Sequence, residues 1–159
     1  MKPKVYLETS IFSFYFDERP SPYIVARRGW TRALFEERRS EFYGVVSEAV
    51  LDELQVGTLP HRHAAYALAR TFPEMPVTED MRRVAAIYAE RFVMPRNPLG
   101  DALHLAAASM ENCDSLVTWN CAHLANPNKF GHIRETNLRL GLPVPLLLTP
   151  LELLGIGIE

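Results

Sequence analysis

The stretch DALHLAAASMENCDSLVTWNCAHLAN, residues 101–126, decides the fold class. Its first half consists of good helix formers, and Leu105 and Ala108 follow Asp101 on one helical face. Ser115 to Trp119 then changes character to a short, apolar, β-prone strand, and NCAHLANPNKFG (120–131) reads as a loop. A helix leading into a strand is half of an alternating unit.

Working outward, the same unit recurs. Upstream, MPRNPLG (94–100) is a loop, Thr78 caps a helix running towards Arg91, and Met75-Pro76-Val77 is a short strand after an Ala-rich helix from about Pro60 to Phe72. Phe42 to Val46 reads as a buried strand, with Ser47 placed to cap the helix SEAVLDELQVG, which Gly57 ends. Pro20-Ser21-Pro22 separates a helix over Tyr23–Arg39 from the opening unit, in which Val5-Tyr6-Leu7 is a strand and Thr9-Ser10 are good capping residues for a helix carrying Ile11, Phe12, Phe14, Tyr15 and Phe16. Downstream, Ile133 to Leu140 is a short helix, Val144 to Leu148 a last strand, and Thr149-Pro150 opens a C-terminal helix. Such alternation implies an α/β protein with a parallel sheet wrapped by helices. No long repeat, low-complexity tract or linker divides residues 1–159, so a single domain is expected.

At 159 residues the chain is long enough to bury a core without disulfide or metal staples. With 48% hydrophobic and 23% charged residues it lies far from disordered compositions. A net charge of -2 provides no global field for nucleic acid, so any polyanion site has to be local. The basic residues gather as Arg27/Arg28/Arg32, Arg38/Arg39 and Arg82/Arg83, a pattern that suits phosphates and solvated helix faces equally. No apolar run reaches the roughly 20 residues that cross a bilayer. The N-terminus also lacks the apolar core and cleavage site of a signal peptide. A cytoplasmic protein without a membrane partner is expected. Cys113 and Cys121 are too few for a disulfide framework or a four-ligand zinc set and read as buried free thiols.

Ligands of open parallel sheets bind beyond the carboxyl ends of the strands, so polar residues just after strands come first. Glu8 follows the first strand, Glu53 lies in the helix after the second, Asp101 starts the helix before LVTW, and Thr118 and Asn120 flank the end of that strand. Acidic groups converging in a cleft repel one another unless a cation joins them, and oxygen ligands favour Mg²⁺ or Mn²⁺. Such a site supports phosphodiester hydrolysis. Each residue also has a plainer reading, as a strand end, a solvated helix charge, a helix-dipole partner or a turn residue.

His104, three residues after Asp101, either supports the site by holding a phosphate or a carboxylate, or is a half-buried histidine on a helix. His61 and His63 point to different sides of a helix and read as surface. Trp119 reads as core, with base stacking as the alternative. The aromatics from Phe12 to Phe16, with Trp30 and Phe35, exceed what one small sheet face covers, which leaves surface for a homodimer or protein-partner groove.

The run VYLETSIFSFYF resembles the opening motif of PIN domains, VVSEAVLDELQVG their second motif, and residues 101–126 their third and fourth together. The motifs stand in the family's order from Val5 to the closing LLLTPLELL. The resemblance, to VapC-type toxins in particular, implies a PIN-like fold with a central parallel sheet flanked by helices on both sides. It further implies a Mg²⁺- or Mn²⁺-dependent endoribonuclease acting on single-stranded RNA and paired with a cognate antitoxin. Position by position it implies metal ligation by Glu8, Glu53 and Asp101, Asn120 as a fourth catalytic position, and Thr9, Ser10 and Thr118 as groups orienting the ligands. Two positions depart from the family pattern: Glu8 where Asp is usual, and Asn120 where a further acid often stands. They define the alternative, a PIN-fold module that binds RNA or a protein partner without cleaving.

Overall fold

The computed structural model describes residues 1–91, 93–95 and 100–155. Five strands form one all-parallel sheet in the order β3-β2-β1-β4-β5. They are β1 (Lys4–Leu7), β2 (Tyr43–Ser47), β3 (Glu74–Met75), β4 (Ser115–Val117) and β5 (Leu146–Leu148). Around them run α1 (Thr9–Tyr15), α2 (Pro22–Arg38), α3 (Glu48–Val56), α4 (Arg62–Ala69), α5 (Glu79–Glu90), α6 (Gly100–Met110), α7 (Pro127–Arg139) and α8 (Pro150–Gly155).

The chain moves outward from β1 to β2 and β3, then returns to the other side of β1 for β4 and β5. Right-handed crossovers therefore carry α1 to α4 over one face and α5 to α7 over the other. Because the connections leaving β1 and β4 run in opposite directions, a crevice opens beyond their carboxyl ends. The expected parallel sheet with helices on both sides is the observed architecture. Among the described residues, no helix is long and apolar enough to cross a membrane.

β1 is covered on both faces and hydrogen-bonded on both edges, which is why its Val5, Tyr6 and Leu7 are wholly buried. Phe12, Phe35 and Phe72 pack as a ring cluster between α1, α2 and the turn after α4. Gly44 admits that cluster to the sheet, since a Cβ there would lie 2.9 Å from the Phe72 ring. Each such ring contributes roughly 1.5–3 kcal/mol by leaving water. Trp119 is core, its indole N–H donating to Thr31 Oγ1 at 2.7 Å, whereas Trp30 is exposed on α2.

Several local expectations change. Thr9 and Ser10 do not cap α1; the Glu8 carboxylate does, accepting from Ser10 N. Ser47 stands at the start of α3 without a side-chain cap bond, because its hydroxyl is engaged by Tyr6 instead. Helix α7 starts at Pro127, six residues before Ile133, with Asn126 accepting from Asn128 N, so part of the predicted 120–131 loop is helical. Thr78 caps α5 as read, and Thr149 with Glu152 forms a reciprocal cap on α8. Cys113 is a buried thiol, but Cys121 is exposed on the polar turn after β4. The loop expected at 94–100 falls largely outside the described residues.

The face carrying α5 to α7 is fastened by one buried amide. Asn137 donates to Ser109 Oγ and to the Pro143 carbonyl, each at 2.9 Å, and accepts from the Tyr88 hydroxyl at 2.5 Å. Asn137→Ala strands these partners in an apolar interior and is expected to lower the unfolding free energy by roughly 2–4 kcal/mol in urea denaturation. An unchanged midpoint would show that the amide does not fasten this face.

Candidate active site

Glu8 leaves β1 at the crevice with only 6% of its surface exposed, so its carboxylate has to find donors inside the protein. Thr118 and Ser10 hydroxyls donate to Oε1 at 2.6 and 2.5 Å, and Ser10 N donates to Oε2 at 3.1 Å. The two hydroxyls are themselves placed by the turn after β4: Ser10 Oγ accepts from Trp119 N and Thr118 Oγ1 from Asn120 N, both at 2.9 Å. One carboxylate thus joins the end of β1, the start of α1 and the end of β4.

Glu53 enters from α3 and reaches His104 on α6, where Oε1 and Nε2 are 2.8 Å apart. The same Nε2 is 3.9 Å from Glu8 Oε2 and 3.4 Å from Thr9 Oγ1. On its other side His104 Nδ1 meets the Tyr6 hydroxyl at 2.6 Å, and that hydroxyl meets Ser47 Oγ at 2.7 Å. Ligating atoms of Glu8, Glu53 and His104 all lie within 4.8 Å of one another.

Burial alone would disfavour the His104 cation, but its hydrogen bond to Glu53 and the charges of Glu53, Glu8 and Asp101 outweigh that and raise its pKa. Burial likewise opposes ionisation of the half-exposed Glu53, yet the His104 hydrogen bond and charge hold its carboxyl below the ordinary range. Burial pushes the Tyr6 hydroxyl well above its usual pKa, so it serves as a neutral donor and acceptor.

Asp101, in the first turn of α6, lines a cleft of about 450 Å³ together with Glu53, Asp52, Gly100 and Arg82. It stands at the mouth of the site, outside the tight Glu8–Glu53–His104 group. Lys129 on α7 is near enough to feel its charge: partial burial lowers the lysine pKa and Asp101 opposes that shift. Asn120 sits on the turn after β4, where its Oδ1 accepts from His123 N at 3.0 Å. Of the eight positions singled out in the sequence, Glu8, Glu53, Thr9, Ser10, Thr118 and His104 share direct contacts, Asp101 shares the cleft, and Asn120 touches the group through Thr118.

Tyr6 and Arg82 were not legible as site residues. Tyr6 looked like any aromatic inside a strand, and Arg82 like half of a surface arginine pair. His104 is no helix-surface histidine, being 1% exposed; its i, i+3 spacing from Asp101 was the available signal.

The group suits a divalent cation. His104 Nε2 faces two carboxylates, and its separations from Glu53 and Glu8 lie within the span of two ligands each about 2.1 Å from one ion. Glu8 and Glu53 could supply the hard oxygens such an ion prefers, with Asp101 nearby on the rim.

Gly100 makes room for this arrangement, since a Cβ there would stand 2.8 Å from Glu53 Oε1. Gly100→Ala is expected to preserve the fold and displace the Glu53 carboxylate from His104. The imidazole ¹⁵N and ¹H resonances of His104 should then shift, and unchanged resonances would refute the close approach.

Neither a family model nor a curated protein sequence matches the chain. Solved structures do. A toxin–antitoxin complex from Klebsiella pneumoniae aligns with TM-score 0.55 and 17% identity, covering 79% of this chain and 93% of that one. VapC20 of Mycobacterium tuberculosis, a sarcin-ricin loop cleaving toxin, aligns with TM-score 0.54 and 17% identity over 70% of this chain and 86% of its own. VapBC2 from Rickettsia felis, bound to a DNA fragment from its promoter, aligns with TM-score 0.54 and 15% identity over 92% and 98%. The chain therefore has the PIN-like fold that its motifs implied, and shares it with VapC20 and these toxin–antitoxin structures.

Proposed function

We propose that this chain is a single-domain, cytoplasmic VapC-type toxin, an endoribonuclease that hydrolyses single-stranded RNA with Mg²⁺ or Mn²⁺ and is restrained by a cognate antitoxin. The observation that carries the reading is the meeting of Glu8 and Glu53, with Asp101 at the rim, in the crevice between β1 and β4. The fold shared with a toxin that cleaves the sarcin-ricin loop supports the substrate class, and the shared fold of toxin–antitoxin complexes supports the partner.

Glu8, Glu53 and Asp101 would hold a divalent ion, which would supply Lewis acidity towards a water and the scissile phosphate. The chain's own residues arrange the rest. Ser10 and Thr118 fix Glu8 so that its carboxylate does not rotate away. Arg82 and Lys129 stand beside the acidic rim as cations for the flanking phosphates, which supplies the local positive charge that the net balance of -2 lacks. Asn120 holds the turn that carries Thr118 into place.

The test is cleavage of a mixed single-stranded RNA pool with Mg²⁺, Mn²⁺ or EDTA. Asp101→Asn and Glu53→Gln are each expected to reduce metal-dependent cleavage by on the order of 100-fold. Variants as active as the parent would overturn the nuclease assignment. A folded, antitoxin-free parent that binds the pool without cutting would favour the non-cleaving module.

We also infer a homodimer, supported by the shallow apolar surface of α2 lined by Val25, Ala26, Gly29, Trp30 and Ala33, where Val25 and Trp30 are exposed. Sedimentation should show a dimer that Trp30→Ser weakens; a monomer at every concentration would remove this part of the reading.

A further inference from the structure

We propose that His104 is itself a ligand of the ion, through Nε2, and that this nitrogen makes the centre select a divalent transition-metal ion over Mg²⁺. The inference rests on the metal centre proposed above and deepens it.

Three observations carry it. His104 is 1% exposed, and its Nε2 looks into the carboxylate pair, at 2.8 Å from Glu53 Oε1 and 3.9 Å from Glu8 Oε2. Glu53 and Glu8 stand around that nitrogen with the Thr9 hydroxyl, and what lies between Nε2 and the Glu53 carboxylate at 2.8 Å has to be a proton or a cation. The far nitrogen has the partner a metal-bound imidazole needs: Nδ1 is hydrogen-bonded to the Tyr6 hydroxyl at 2.6 Å, and that hydroxyl to Ser47 Oγ at 2.7 Å. That pair of hydroxyls can reverse direction. Without an ion it donates to Nδ1 and leaves the proton on Nε2 for Glu53; with an ion it accepts from Nδ1 and frees the Nε2 lone pair.

A buried Tyr–Ser pair devoted to one imidazole nitrogen exceeds what an ion pair with Glu53 requires. It does what the partners of ligating histidines do, fixing ring orientation and tautomer. Mg²⁺ prefers an all-oxygen shell and parts with water reluctantly, whereas Mn²⁺ and the later first-row ions accept imidazole nitrogen with increasing affinity. A centre of two carboxylates and an imidazole, with Asp101 at its edge, therefore favours the transition ion. In this role Tyr6 is a positioning residue, acting only through His104.

The experiment is pulsed electron paramagnetic resonance of the full chain loaded with Mn²⁺, prepared with natural-abundance and with ¹⁵N-histidine protein. Bound Mn²⁺ is expected to show a directly coordinated ¹⁴N coupling that changes to the ¹⁵N pattern on histidine labelling, disappears in His104→Gln and persists in His123→Gln. Competition titrations should show Mg²⁺ displacing Mn²⁺ about tenfold more readily from His104→Gln than from the parent, and Tyr6→Phe should weaken Mn²⁺ binding by roughly tenfold while keeping the coupling. If His104→Gln does not fold, a protein with His61, His63, His123 and His132 all changed to Gln, which keeps His104 alone, decides the question by retaining or losing the labelled coupling. Mn²⁺ bound to a protein that cleaves RNA, yet without histidine coupling, overturns the role of His104 and leaves the nuclease reading standing. Failure to bind Mn²⁺ or Mg²⁺ at all overturns both.

Discussion

Glu8 ends β1 in a place where water hardly reaches, and a buried carboxylate is tolerated only with several donors around it. The donors it finds are Ser10, in the first turn of α1, and Thr118, at the end of β4. Both are held by backbone N–H groups of the segment after β4. The strand pair at the centre of the sheet, the start of the first helix and the turn carrying Asn120 are consequently one hydrogen-bonded unit. If the carboxylate moved, the crevice between β1 and β4 would lose its shape as well as its charge.

Around this fixed point the other groups are arranged by rigid elements. Glu53 comes from α3 and His104 from α6, helices on opposite faces that approach each other at the carboxyl end of the sheet. Gly100 lets the start of α6 pass close to the Glu53 carboxylate. Tyr6, wholly buried in β1, sets the histidine ring from below, and Ser47 at the end of β2 sets Tyr6. Three neighbouring strand ends therefore supply Glu8, Ser47 and Thr118, and two helices supply Glu53 and His104. This is the kind of support that holds a metal centre: ligands on regular elements, each with a second group fixing its orientation.

The chain also separates its stabilising polar bonds from its chemical ones. Asn137, Ser109 and Tyr88 form a satisfied buried network among α5, α6 and α7, remote from the carboxylates. Arg27 lies over the Tyr23 and Trp119 rings and donates to the Trp119 carbonyl, which steadies the turn after β4 from the α2 side. Part of the arginine clustering seen along the chain is thus structural: Arg28 and Arg32 hold the carbonyls of Asp17 and Tyr15.

Most of the architecture was readable from the chain because it depends on local chemistry. Apolar runs such as VYL and SLV bounded by polar residues become buried strands, and Thr78 caps a helix wherever the sheet happens to lie. Glu8, Thr118 and Asn120 could be singled out because strand ends meet the crevice in any open parallel sheet. Where a local rule failed, a tertiary partner had replaced the local one: Ser47 gave up capping α3 for Tyr6, and Glu8 took the capping place expected of Thr9 or Ser10. The surroundings of His104 were not readable, since exposure on a helix depends on what packs against it, and its partners Tyr6, Glu53 and Glu8 are 98, 51 and 96 residues away along the chain. By itself the sequence determined the strand–helix order, the parallel sheet and the acidic residues at its edge, because these follow from periodicity and short-range bonding. Only the tertiary structure decided which of those acids meet, which nitrogen faces them and which hydroxyls hold it, because those distances are set by how separate strands and helices cross.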